Sequence, residues 1–120
     1  MTPETKIKKL VKKYLSESTR WYTAISDRYT SGLPDFFALT GIKPLFIEVK
    51  AIKGRMSGKQ WSVAKQIMAA GGIYKIATVT KEGKLVLMDM SEPASQALWV
   101  PSVTRLANKL YSEDIEDEHV

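Results

Sequence analysis

The sequence predicts an α/β fold, a mixed β-sheet flanked by helices in the order α-β-β-β-α-β-β with a C-terminal extension. Three observations lead there. Near the N-terminus Ile7, Leu10, Val11, Tyr14 and Leu15 recur at helical spacing. Short runs of aromatic, β-branched and aliphatic residues follow, punctuated by glycine and proline. A second helical stripe stands between the third and fourth of these runs, which calls for a crossover rather than a hairpin.

Thr2-Pro3-Glu4 opens the first helix, with Thr2 as its cap and Pro3 at the first helical position. Lys8, Lys9, Lys12 and Lys13 lie mainly off the apolar stripe, so the outer side is basic. Residues 21–26 read as a strand, and 27–34 as a loop containing Ser31-Gly32 and Pro34. Residues 35–40 form a second strand, 41–44 a turn, and 45–51 a third strand apolar enough for a central position. A polar loop leads to Ser57, whose partner Gln60 completes a capping-box pattern. The helix runs through Trp61, Ala64, Ile67 and Met68 to a Gly71-Gly72 stop. Residues 73–80 and 84–90 are the last strands. Residues 93–101 are expected to be irregular and 102–111 to form a short helix on Val103, Leu106 and Leu110. The first three strands should make an antiparallel meander, with the fourth parallel to one of them. Residues 1–111 are expected to fold as one domain, and the acidic tail 112–120 to be disordered.

Composition narrows the chemistry. The 120 residues include no cysteine, which excludes disulfides, thiolate metal sites and a cysteine nucleophile. The only histidine is His119, too close to the end to anchor a histidine-based mechanism. No apolar run approaches a membrane span, and residues 1–13 lack the apolar stretch of a signal peptide. An intracellular, cytoplasmic protein without membrane contact is expected. Net charge is +5, and setting aside the five acids of the tail leaves 18 basic against 8 acidic residues, a net +10. A body this basic points to a polyanion, with nucleic acid the first candidate.

Within the second hairpin, a four-residue turn would set Thr40 against Leu45, Phe37 against Glu48 and Asp35 against Lys50. Opposed residues share a face and side chains alternate, so Asp35, Glu48 and Lys50 would project together. Two carboxylates and a lysine make a costly core unless paired or bound to a cation. The acids suit Mg²⁺ or Mn²⁺, with the Val49 backbone carbonyl as a further oxygen. Lys50 would orient the attacking water or stabilise developing negative charge. The plainer alternatives are that Asp35 ends a turn and that Glu48 and Lys50 pair on a solvated face.

Gly32-Leu33-Pro34-Asp35, followed by Phe46-Ile47-Glu48-Val49-Lys50, resembles the G-x-P-D … (I/V)-E-x-K pattern of PD-(D/E)XK nucleases. An E-x-K alone carries little weight; the joint spacing and strand context carry the match. Within that superfamily the chain resembles the VRR-NUC family, especially its small stand-alone members, from about residue 4 to 79. The resemblance implies a restriction-endonuclease-like core and a metal-dependent DNA endonuclease. The family's Ser-x-x-Gln matches Ser57-Gly58-Lys59-Gln60, so Gln60 would help to position the water. Its first-helix glutamate matches Glu4, a fourth metal-site candidate that could also simply complement the helix dipole. For Gln60, a capping role and an active-site role compete for one amide. Lys53, Arg55, Lys59, Arg28 and Lys9 are the DNA-contact candidates, with solvated charge as the alternative. Trp61 and Trp99 are read as core or interface residues. The resemblance further implies a homodimer acting on branched DNA such as a Holliday junction, with no small-molecule cofactor. The rivals are a nicking, flap or restriction-type nuclease and a non-catalytic basic DNA-binding module.

Overall fold

The computed structural model describes residues 2–27 and 29–118. Helix α1 (Pro3–Ser18) starts as expected: the Thr2 hydroxyl accepts from the Thr5 N–H at 3.1 Å, and Pro3 stands in the first turn. Its buried stripe is Ile7, Val11 and Leu15. Then come β1 (Trp21–Ala24), β2 (Phe36–Leu39), β3 (Pro44–Val49), α2 (Gly58–Ala69), β4 (Ile73–Val79), β5 (Leu85–Asp89), α3 (Pro93–Trp99) and α4 (Pro101–Glu118). One five-stranded sheet has the order β1-β2-β3-β4-β5. β1, β2 and β3 form the antiparallel meander, α2 crosses over to β4 parallel to β3, and β5 returns antiparallel.

Each face of the sheet buries a different set, because strand side chains alternate. On one side α1 packs over Phe36, Ala38, Leu45, Ile47, Val49 and Ala77. On the other, Tyr74, Ile76 and Met90 meet Met56, Ala64, Trp99 and Val100. β3 belongs to both layers. Its odd positions face α1, and Phe46 and Glu48 therefore face α2. Trp99 is a core residue, its indole N–H directed at the Met88 sulfur at 3.1 Å, and Trp61 packs half-buried against the same cluster.

The structure corrects the sequence expectation in three places. The hairpin register is shifted by two: Leu39 pairs with Pro44, Phe37 with Phe46 and Phe36 with Ile47. The turn is therefore residues 40–43. The Thr40 hydroxyl closes it by donating to the Lys43 carbonyl at 2.9 Å, and Gly41 supplies a φ of +95°. A shift of one would have inverted the faces; a shift of two keeps Asp35 and Glu48 together. Residues 93–99, expected to be irregular, are helix α3, with Pro93 in its first turn and Ser95 and Trp99 buried. Finally, α4 runs Pro101–Glu118, past the expected helix end at Tyr111. His119 and Val120 of the acidic tail lie outside the described residues. Among the described residues no helix is long and apolar enough to cross a membrane.

Candidate active site

The site forms where β3 ends, on the face toward α2. Asp35 stands one residue before β2, and its backbone N–H still donates to the Ile47 carbonyl at 2.9 Å. Ile47 is also the partner of Phe36, so the regular β2–β3 pairing ends at Phe36, and Asp35 meets Glu48 through its side chain. The approach to Asp35 depends on Gly32, which has a φ of +82°; a β-carbon there would fall 2.7 Å from Lys59 Cγ and 2.9 Å from the Lys59 carbonyl oxygen. The loop thus seats against the first turn of α2 only with glycine at this position. One Asp35 oxygen, Oδ2, accepts from the Val49 N–H at 2.8 Å. The other, Oδ1, stands 3.7 Å from Lys8 Nζ of α1.

Glu48 is 4% exposed. Burial, a hydrogen bond with Asp35 and the Asp35 charge push its carboxyl up to about 9, Glu4 adding to the rise and Lys50 opposing it. Near neutral pH the pair therefore holds a proton. Gln60 joins Glu48 to α2: its Nε2 donates to Glu48 Oε2 at 3.3 Å, while its Oε1 accepts from the Ser57 N–H at 2.9 Å. The Ser57 hydroxyl in turn accepts from the Gln60 N–H at 3.1 Å. Capping and site contact, which the sequence set in competition, use opposite ends of one amide. Lys50 follows Glu48 by two residues and is half-buried, its side chain passing the bare α-carbon of Gly54.

The chain shares its fold with an archaeal Holliday junction resolvase. The Archaeoglobus fulgidus resolvase Hjc superposes with a TM-score of 0.58 at 17% sequence identity, over 72% of this chain and 77% of that chain. The mixed five-stranded sheet flanked by helices is thus an α/β core of the same fold as that resolvase. No protein-family model and no curated protein matches the sequence.

On this resolvase-like core the expected residues fall into three groups. Asp35, Glu48, Lys50 and Gln60 come together. Glu4, exposed in the first turn of α1, is near enough for its charge to act on Glu48. Among the described residues, however, no group of three or more acidic or histidine side chains is gathered for a metal ion. Lys53 and Arg55 are exposed on the β3–α2 loop and Lys59 in the first turn of α2, beside the site. Lys9 lies on α1, lining a cleft with Pro3, Ile7, Leu10, Val79 and Gly83. Arg28 lies outside the described residues.

Three residues near the carboxylates escaped the sequence analysis. Lys8 reaches Asp35 from α1, yet its position in the sequence marked it only as part of a basic helix face. Tyr74 is fully buried, and its hydroxyl finds no hydrogen-bond partner among the described residues. Burial, then the charges of Glu48 and Asp35, push its phenol well above the ordinary range. Thr78, level with Lys50 on β4, is the third, and its hydroxyl likewise has no partner among the described residues.

The donor set fits a hard divalent cation. Mg²⁺ is commonly held by one or two carboxylates while keeping several waters, and Asp35 and Glu48 would be those carboxylates. Lys50, two residues on, supplies positive charge at the same edge.

Proposed function

We propose that this chain is a divalent-metal-dependent DNA endonuclease that hydrolyses phosphodiester bonds, with branched DNA such as a four-way junction as its substrate. The observation that carries the reading is the pairing of half-buried Asp35 with buried Glu48, with Lys50 two residues on. Evolution tolerates two like-charged groups in such a place mainly when function needs them. The fold shared with a Holliday junction resolvase supports the substrate class, and the basic body supports nucleic acid. Assignment to the VRR-NUC family rests on the motifs from Gly32 to Gln60.

Asp35 and Glu48 would hold Mg²⁺ or Mn²⁺. The Val49 carbonyl is available as a third oxygen, because it shares the β2 side of β3 with the N–H that Asp35 accepts from. Glu4 would approach from α1. The ion would supply charge neutralisation at the phosphate and a water of lowered pKa. The protein's own groups do the rest. The Val49 N–H fixes the Asp35 carboxylate, and the Gln60 amide fixes Glu48 and can steer the attacking water. The Lys50 ammonium would meet the negative charge that develops on the phosphate. Lys53, Arg55 and Lys59 would contact flanking phosphates, with Lys9 and Arg28 as further DNA-contact candidates, and binding should weaken with salt. A homodimer would set two such sites for symmetric cuts. Trp21, Leu39 and Ile42, exposed on and beside β1 and β2, offer apolar surface for it.

The test is cleavage of labelled four-way junction, splayed-arm and linear duplex DNA with Mg²⁺ or Mn²⁺. Paired cuts in the junction, lost in EDTA, are expected. Cutting confined to the other substrates would retain the nuclease and remove the junction as substrate. DNA binding by folded protein without cleavage under either metal would replace the enzyme with a basic binding module.

A further inference from the structure

β4 turns Tyr74, Ile76 and Thr78 toward α2, since Ala77 between them packs on the α1 side. Thr78 is only 8% exposed, and its hydroxyl has no hydrogen-bond partner among the described residues. Such a group costs stability, and a valine of the same shape would avoid the cost. The register places Thr78 where the cost has a use. Glu48 pairs with Ile76 and Val49 with Ala77, and the Lys50 N–H donates to the Ala77 carbonyl at 3.0 Å. One step further, Lys50 comes level with Thr78 on the same face. Lys50 thus follows Glu48 by two residues on the face toward α2 and has a buried hydroxyl level with it on the β4 side. A threonine oxygen can accept from an ammonium while its own proton points elsewhere. Thr78 pairs with Val86 on its other side, which offers no polar side chain there.

We infer that Thr78 is a positioning residue for Lys50, its Oγ1 accepting a hydrogen bond from the Lys50 ammonium and holding it toward the phosphate being cut. This rests on the nuclease reading. It differs from a packing role in a definite way: the hydroxyl matters, the shape does not. Thr78→Val keeps the shape and Thr78→Ser keeps the hydroxyl.

The experiment compares the full chain with its Thr78→Val, Thr78→Ser and Lys50→Ala variants, cutting whichever labelled DNA the wild type cuts in Mn²⁺, and records a melting curve for each. Thr78→Val is expected to lower kcat about 10–100-fold, the usual scale for an outer partner of a site group. Its KM should stay near that of the wild type and its Tm should not fall. Thr78→Ser should retain most of the turnover. Wild-type kcat in Thr78→Val, alongside loss of cleavage in Lys50→Ala, overturns the positioning role and leaves the nuclease standing. Equal slowing in both Thr78 variants with lowered Tm also overturns it, in favour of packing. A wild type that cuts no DNA overturns both.

Discussion

Glu48→Gln should abolish most cleavage and, in metal-free protein, make the fold more stable at alkaline pH. The two effects share one cause. Glu48 has its carboxyl raised from the ordinary 4.5 to about 9, chiefly by burial and then by Asp35. Between these limits the unfolded chain has released the proton and the folded chain retains it. The unfolded state then binds fewer protons, so stability falls as pH rises, by up to ~1.4 kcal/mol per pH unit. The contribution is whole below pH 4.5 and is lost as pH passes about 9. Glutamine keeps the shape and the contact with Gln60 while removing the titration. Urea unfolding in EDTA at several pH values should show a declining wild-type curve and a flatter Glu48→Gln curve. Parallel curves would contradict the buried-acid assignment. Cleavage should fall by at least about 10²–10³-fold, because the variant lacks one of two carboxylates for the cation.

Lys50→Ala should lose about 10²–10³-fold in turnover with DNA affinity nearly intact. Lys50 is half-buried at the end of β3, whereas Lys53, Arg55 and Lys59 are exposed and better placed for long-range attraction. Removing one interior charge should therefore spare encounter and affect the cutting step. The change also removes the group that lowers the Glu48 carboxyl, so the Asp35–Glu48 pair should hold its proton more firmly and bind metal less readily. Single-turnover cleavage at saturating Mn²⁺, beside fluorescence anisotropy of labelled DNA, separates these effects. Equal losses in affinity and rate would make Lys50 a DNA anchor.

Much of this site was legible in the sequence because strand alternation survives an even error. The hairpin was offset by two residues, yet Asp35 and Glu48 stayed on one face. The offset arose because Pro44 was read as turn, whereas it begins β3 opposite Leu39. Ser57 and Gln60 were visible as a local pattern, but the second use of Gln60 was not, since Glu48 lies in a different element. Helix α3 was missed for being short and proline-bounded. Lys8 and Thr78 were missed for the same physical reason: their neighbours come from tertiary packing, which one segment's periodicity does not encode. A parallel β3–β4 register, had it been assigned, would have set Thr78 beside Lys50.

The most direct measurement is calorimetric titration of Mn²⁺ into metal-free protein at about pH 8, in buffers of different ionisation enthalpy. If Asp35 and Glu48 form the cation site, binding should release about one proton per ion, and Asp35→Asn should weaken it severely. Binding without proton release, or undiminished binding in both Asp35→Asn and Glu48→Gln, would contradict a metal centre at this pair.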